Sequence, residues 1–294
     1  MMTRITLFSL LSILSISANA STILTTIKPI QMITTELTQG VEQPDVLLGA
    51  NASPHDYALR PSDVKRVHNA DLVIWFGHDL EGFMEKLVDS KPAEQVLTLS
   101  KIDGLKLRAF GPHHHDDGHH HHGTHDPHFW LGTEPTLQVA EAITQKLVTM
   151  DPEHAEQYQQ NLAAFTQNIA QLKVNLTTQL KSVEHSGYYV FHDAYGYLKQ
   201  DYPLNQLGFF TVSPDRKPGA KTLMQIRKAL EEQKVQCVFA EPQFTPAVLQ
   251  SVVHGTNTKI GTLDPLGTEV TVEPGSYFTF QHKIADSLTN CLAP

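Results

Sequence analysis

A long amphipathic pattern between Asp151 and Val183 constrains the fold of this chain more than any other feature. Asp151 suits the N-cap of a helix and Pro152 its first position, whereas Gly187 ends the pattern. At about 1.5 Å per residue, some thirty residues span roughly 45 Å. The pattern predicts a rigid helix that connects two lobes, with a long core helix of a single domain as the alternative. The apolar residues recur at steps of three or four, which places them on one helical face: Ala155, Tyr158, Leu162, Phe165, Ile169, Leu172, Leu176, Leu180 and Val183.

Apolar segments alternate with amphipathic ones on both sides of this helix. Such alternation is typical of parallel sheets covered by helices on both faces. We therefore expect an α/β fold of two lobes with a cleft between them, each lobe with a mainly parallel sheet flanked by helices. The expected division is an N-terminal lobe at 21–150, the connecting helix at 151–185 and a C-terminal lobe at 186–294. The predicted strands are 23–27, 45–48, 71–76, 96–99, 188–191, 235–240 and 259–263, and the predicted helices are 30–38, 61–69, 83–90, 133–150, 193–200, 221–233, 246–254 and 277–291.

Residues 1–20 have the three parts of a secretory signal peptide. A short basic start with Arg4 precedes an apolar run from Ile5 to Ser17, and Ala18-Asn19-Ala20 has the form of a cleavage site. The apolar run is too short to span a bilayer. The net charge of −9 gives no basic footprint for nucleic acid. We expect an exported, soluble protein that is not embedded in a membrane and does not bind nucleic acid.

The chain has two cysteines, Cys237 in an apolar strand pattern and Cys291 near the C-terminus. Export to an oxidising compartment favours a disulfide that ties the C-terminal helix to a strand. In the chain-entropy account, closing a loop of this size contributes about 4 kcal/mol. Two buried free thiols are the alternative.

Four side chains with metal-binding chemistry lie at the ends of predicted strands or in adjoining loops. In open α/β sheets, functional groups gather beyond the carboxyl ends of the strands. Three imidazoles and one carboxylate suit tetrahedral zinc, whereas an oxygen-rich set favours manganese, magnesium or calcium. A lone histidine at a strand end is also a common structural residue. The four candidates, two from each lobe, are His55, His128, His192 and Asp264.

The sequence around these residues resembles the periplasmic zinc-binding component of zinc ABC importers, a branch of the metal-specific solute-binding proteins. The resemblance extends over nearly the whole mature chain and implies two lobes joined by a long helix, with metal held between them. The stretches that carry it are Pro54-His55-Asp56-Tyr57-Ala58-Leu59-Arg60-Pro61-Ser62-Asp63, Asp126-Pro127-His128-Phe129-Trp130-Leu131, Phe191-His192-Asp193-Ala194-Tyr195-Gly196-Tyr197 and Gly261-Thr262-Leu263-Asp264-Pro265-Leu266-Gly267.

The resemblance also implies a set of zinc ligands. His55, His128 and His192 are the expected ligands, and Asp264 or a water molecule completes the coordination shell. Manganese-type relatives usually carry Glu at the third position, so His192 favours zinc. Some zinc-type relatives have an acidic residue just before the first histidine, where this chain has Pro54. An additional carboxylate ligand from that position is therefore excluded.

A histidine-rich run occupies 113–125. It has no periodicity and cannot build a core, so we expect a loop. Its internal position argues against an expression tag, and a solvated polar loop without metal is the alternative. Such loops are typical of zinc-type members of the family, so we expect lower-affinity zinc binding beside the cleft entrance. The histidines are His113, His114, His115, His119, His120, His121, His122 and His125.

The predicted function is high-affinity zinc capture in the periplasm and delivery to the membrane permease of a zinc ABC importer. We expect a monomer without enzymatic activity, with Glu241 at a strand end as a possible acceptor that orients an imidazole. A manganese or iron receptor of the same architecture is one alternative. A zinc hydrolase is another, although no H-E-x-x-H segment occurs in the chain.

Overall fold

The computed structural model describes residues 22–49, 51–109, 125–214, 217–232, 234–244 and 247–293. The predicted signal peptide and His113–His122 lie outside the described residues. The strands are β1 (Ile23–Thr25), β2 (Asp45–Val46), β3 (Leu72–Trp75), β4 (Val96–Thr98), β5 (Tyr188–His192), β6 (Gln206–Thr211), β7 (Cys237–Ala240) and β8 (Lys259–Thr262). The helices are α1 (Lys28–Leu37), α2 (Pro61–Asn69), α3 (His78–Glu81), α4 (Glu85–Asp89), α5 (Thr133–Met150), α6 (Ala155–Leu180), α7 (Gly196–Asp201), α8 (Ala220–Glu231), α9 (Ala247–Val253) and α10 (Ser276–Leu292).

Within the described residues, the strands form two parallel sheets with the same topology. The strand order is β2-β1-β3-β4 in the first sheet and β6-β5-β7-β8 in the second. The chain leaves the first strand of each sheet toward one edge and returns on its other side, so the order reverses between β1 and β3 and between β5 and β7. Ligand sites in doubly wound folds lie at the carboxyl ends of strands at such points. The predicted α/β fold with two lobes is confirmed.

Helix α6 is the long helix that the apolar periodicity predicts. It has 26 residues and is therefore about 39 Å long at 1.5 Å per residue. Its buried face packs against α1 and α5 of the first lobe and against α10 of the second. Short 3₁₀ turns precede and follow it, at Pro152–His154 and Lys181–Val183. Asp151 is the N-cap of the first of these turns, as expected, and its carboxylate also accepts a hydrogen bond from the hydroxyl of Tyr158 at 2.9 Å.

One apolar core runs through both lobes. It contains Ile33 of α1, Ile143 of α5, Phe165 of α6 and Phe280 of α10. A second cluster lies under α8 and α9 and includes Leu230. Each fully buried side chain of this size contributes roughly 1.5–3 kcal/mol, so the shared core resists separation of the lobes.

Two polar side chains fix the ends of helices across the lobes. The amide of Asn161 on α6 donates to the backbone oxygens of Leu37 and Gln39, both at 2.9 Å, at the end of α1. The carboxylate of Glu36 on α1 accepts from the Gly275 N–H at 2.7 Å, just before α10. These contacts satisfy backbone groups that helix ends leave without an intrahelical partner.

The favoured disulfide is present and joins Cys237 on β7 to Cys291 on α10. It ties the last helix of the chain to the second strand from the edge of the C-terminal sheet. Strand β6 was not predicted from the sequence. No helix in the described part of the chain is long and apolar enough to cross a membrane.

Candidate metal centre

Three histidine side chains converge where the two lobes meet. His55 lies in the loop between β2 and α2, His128 precedes a 3₁₀ turn at Phe129–Leu131, and His192 ends β5. One ring nitrogen from each of the three lies within 4.8 Å of the other two. The ring centroid of His55 lies 5.5 Å from that of His128 and 5.6 Å from that of His192, and the last two are 5.0 Å apart. The structure thus brings together three of the four side chains singled out in the sequence.

Two of the imidazoles are oriented by buried carboxylates. His128 Nδ1 lies 2.8 Å from Asp126 Oδ1, and His192 Nδ1 lies 2.7 and 2.8 Å from the two oxygens of Glu241. A carboxylate accepts a hydrogen bond, so each Nδ1 is the donor, and the neutral form of each ring keeps its lone pair on Nε2. The two Nε2 atoms face each other at 3.1 Å. This arrangement prepares both Nε2 atoms to bind a cation.

Burial shifts the pKa values of two groups at this site. His128 and His192 are 3% and 2% exposed. Burial lowers the pKa of His128 well below its usual range, so its imidazole is neutral at neutral pH. Burial also raises the pKa of Asp126 to about 6, although hydrogen bonds from the His128 backbone and Arg108 oppose this shift. A neutral imidazole beside a carboxylate is the protonation state that metal binding requires.

Arg108 connects the two halves of the site. Its guanidinium donates to Asp126 at 3.1 Å and to Asp193, the residue after His192, at 3.0 Å. Asp126 belongs to the first lobe and Asp193 to the second. Gly196 makes room for this side chain, because a Cβ there would lie 1.8 Å from Arg108 Nε. Arg108 therefore holds the carboxylate that orients His128 and links it to the segment that carries His192.

His55 differs from the other two histidines because it is only half-buried and lies on a loop without regular secondary structure. The end of this loop is anchored by Asp63 of α2, which accepts from the Tyr57 hydroxyl and the Arg60 N–H, both at 2.9 Å. Ser53 Oγ accepts from the His55 N–H at 3.2 Å. The solvent-facing side of the site is therefore formed by the most exposed of its three imidazoles.

Asp264 lies outside the group of three histidines. Its carboxylate accepts hydrogen bonds from the Leu266 N–H and from Gln243 Nε2, at 3.1 and 3.0 Å, and from the Thr268 N–H. Both of its oxygens thus have protein donors.

The three imidazoles line a cavity of about 10 Å³ with Trp130 and Gln243. A volume of this size holds about one water molecule. Nitrogen donors of this kind suit zinc, copper, iron and nickel, whereas manganese and magnesium favour oxygen ligands. The donor set therefore fits zinc and disfavours manganese.

Several residues of the site were missed in the sequence. Asp126 stands two residues before His128, and a carboxylate so close to an expected ligand is a signal that could have been used. Arg108 and Gln243 give no such signal, since their partners lie far away in the chain. Glu241 was anticipated as an acceptor for an imidazole, and it contacts His192. His125 is exposed and its backbone forms a bridge with Ala109, apart from the three converging histidines.

The chain is similar to proteins of zinc uptake along nearly its whole length. A family model, ZnuA, described as zinc-uptake complex component A periplasmic, matches residues 23–291. A high-affinity zinc uptake system protein ZnuA of Haemophilus ducreyi is 43% identical over 292 residues, with 94% of each chain covered. The protein of the same name from Yersinia pestis is 40% identical over 291 residues, with 93% of this chain and 92% of the relative covered.

Solved structures show the same fold at lower identity. A crystal structure of ZnuA superimposes with a TM-score of 0.80 at 23% identity and covers 94% of this chain and 100% of its own. The periplasmic zinc-binding protein TroA from Treponema pallidum gives a TM-score of 0.79 at 20% identity, with the same coverage. These similarities support the two-lobed architecture.

Proposed function

Because the chain belongs to the ZnuA family of periplasmic zinc-uptake components, we propose that it captures zinc in the periplasm and delivers it to the membrane permease of an ABC importer. The observation that supports this function best is the convergence of three imidazole nitrogens within 4.8 Å at the junction of the lobes. Zinc accepts such nitrogen ligands in tetrahedral sites. A manganese receptor of the same architecture is not favoured, because manganese prefers oxygen ligands.

The proposed zinc ligands are His55, His128 and His192. The last two bind through Nε2, because their Nδ1 atoms are hydrogen-bonded to Asp126 and Glu241. Carboxylates in this position fix the orientation of the ring and raise its basicity. The fourth ligand is either Asp264 or a water molecule.

The proposed activity is zinc binding and not catalysis. A zinc hydrolase needs an open coordination position and a general base beside the metal-bound water. Among the described residues that line the cavity, Glu241 is the carboxylate, and both of its oxygens lie within hydrogen-bond distance of His192 Nδ1. Its engagement with the imidazole favours a role in positioning a ligand.

The remaining assignments complete this proposal. Residues 1–20 are a signal peptide, 21–150 and 186–294 are the two lobes, and 151–185 connect them. The protein acts as a monomer. The histidine-rich run at 113–125 binds additional zinc with lower affinity.

Metal analysis tests the central assignment. Protein purified without added ions or chelators should contain one tightly bound zinc, and zinc should displace manganese in competitive titration. His192→Ala should weaken zinc binding at least about tenfold, because it removes a ligand. His185→Ala is the matched control, since His185 is 94% exposed and distant from the cavity lining. An unchanged dissociation constant for His192→Ala would remove this residue from the site.

Calorimetry tests the histidine-rich run. Deletion of residues 113–125 should lower the number of bound zinc ions and leave the tight site intact. An unchanged stoichiometry would show that the run does not bind zinc.

A further inference from the structure

Gln243 is a polar side chain of the cavity that no sequence pattern indicates. It lies in the loop after β7 and lines the same cavity as the three imidazoles. Its Nε2 donates to Asp264 Oδ1 and to Thr268 Oγ1, each at 3.0 Å. A carboxylate oxygen accepts hydrogen bonds and does not donate them, so the nitrogen end of the amide must face Asp264. The carbonyl end therefore faces away from Asp264.

The carbonyl oxygen of Gln243 is buried and has no hydrogen-bond partner within the described part of the chain. Buried amide oxygens in folded proteins nearly always accept a hydrogen bond from the protein, from water or from a ligand. Gln243 lines the same small cavity as the three imidazoles. A donor bound in this cavity would supply the missing partner.

The carboxylate of Asp264 already accepts hydrogen bonds from the protein on both oxygens. One of its oxygens accepts from the Leu266 N–H as well as from Gln243, and the other accepts from the Thr268 N–H. If this carboxylate moved to a metal ion, these donors would lose their acceptor. Its contacts instead suit a group that orients the amide of Gln243.

Building on the proposed zinc site, we propose that Gln243 holds the fourth zinc ligand, a water molecule that donates a hydrogen bond to its Oε1. Asp264 is then a positioning residue that acts through Gln243 and not a ligand. A metal ion polarises its bound water and makes it a stronger donor. An amide oxygen accepts this hydrogen bond without taking the proton, so the water stays a ligand and is not activated as a nucleophile.

This arrangement selects the kind of molecule that can occupy the fourth position. Oε1 only accepts hydrogen bonds, so a ligand that donates is stabilised there. A small anion such as azide offers no proton and would face the lone pairs of the amide oxygen. Azide should therefore replace this water in the wild-type protein only with low affinity.

Cobalt-loaded protein tests the proposal, because its visible absorption reports on the ligands of the metal. Azide at high concentration should change the wild-type spectrum. Gln243→Leu should weaken cobalt and zinc binding about three- to tenfold, as expected for the loss of one hydrogen bond, yet bind azide several-fold more tightly. A merely distorted site would weaken both metal and azide. Gln167→Leu, an exposed glutamine on α6, should match the wild type.

Asp264→Asn completes the experiment. An asparagine oxygen can still accept from Gln243 Nε2 and the Leu266 N–H, and only the hydrogen bond from the Thr268 N–H is lost. This variant should therefore keep the wild-type cobalt spectrum and lose less than about threefold in affinity. Three results together would make Asp264 the ligand and overturn the proposal. The Asp264→Asn variant would show a changed cobalt spectrum and at least a tenfold loss of metal affinity, and azide would leave the wild-type spectrum unchanged. Failure of the wild-type protein to bind one equivalent of zinc would instead refute the proposed function.

Discussion

The folded protein should lose stability as the pH rises, because buried Glu81 ionises. The substitution Glu81→Gln should abolish this loss. The side chain of Glu81 is fully buried at the ends of β1 and β3. Its carboxylate accepts hydrogen bonds from the Phe76 N–H at 2.8 Å, the Gly77 N–H at 3.3 Å and the hydroxyl of Thr26. A glutamine can accept the two backbone hydrogen bonds through its amide oxygen, and its NH₂ group can donate to Thr26. The substitution thus removes the ionisation and keeps the contacts.

The magnitude follows from the pKa of this group. Burial raises the pKa of Glu81 from 4.5 to about 7, because the hydrogen bonds only partly offset the cost of burying a charge. The folded protein therefore holds this proton more tightly than the unfolded chain does. The resulting stabilisation is complete below pH 4.5 and is lost as the pH rises through about 7. A shift of this size corresponds to about 3 kcal/mol, at 1.36 kcal/mol for each pKa unit.

Urea denaturation of zinc-free protein at several pH values tests this prediction. Zinc must be absent because its binding depends on pH and stabilises the folded state. Between pH 4.5 and pH 8, the unfolding free energy of Glu81→Gln should rise by about 3 kcal/mol relative to the wild type. Other titrating groups cancel in this difference. Glu141→Gln, at an exposed position, should show no such trend. A difference for Glu81→Gln that is constant with pH would refute the reasoning.

Three further substitutions test the contacts of the site and the fold. Glu241→Gln should weaken zinc binding about 10- to 100-fold in calorimetry, because the carboxylate that orients His192 is lost while the ligand remains. Arg108→Met should lower the free energy of unfolding in urea by about 3–5 kcal/mol, since two largely buried carboxylates lose their cation; a loss below 1 kcal/mol, on the order of an exposed ion pair, would contradict the assigned burial. Cys291→Ser should destabilise the protein by about 4 kcal/mol through loss of the bond to Cys237, and an unchanged thermal midpoint would show that this link is dispensable.

The elements that were predicted correctly have strong local patterns. Helix α6 repeats its apolar residues over seven turns, so its period is evident without tertiary information. Strand β7 is a continuous apolar run, as expected for a strand buried on both faces. Strand β6 was missed because it lies at the edge of its sheet, is only partly buried and contains Gly208. Helix α7 was predicted to begin at Asp193 but begins at Gly196, and Asp193 lies before it, paired with Arg108.

The side chains around the candidate metal site were harder to predict than its histidines. The histidines follow strands or precede a helix, and these positions can be recognised from the alternation of elements. The partners of Arg108 and Gln243 are set by the tertiary fold: Arg108 and Asp193 are separated by 85 residues, and Gln243 and Asp264 by 21. Local periodicity contains no information about such pairs. The sequence therefore indicates which groups can bind metal, whereas the structure is needed to see what holds them in place.

The charged groups around the cavity favour the binding of a divalent ion by the proposed histidine ligands. Asp126, Asp193 and Glu241 bring three carboxylates close to the imidazoles, and Arg108 supplies one compensating cation. The acidic groups of this cluster outnumber its cation, and the region is largely buried. Electrostatic attraction is strong where water is excluded, so a divalent ion bound here would be stabilised by groups that do not touch it. Because His55 is the most exposed of the three histidines, we expect this attraction to be weakest on its side.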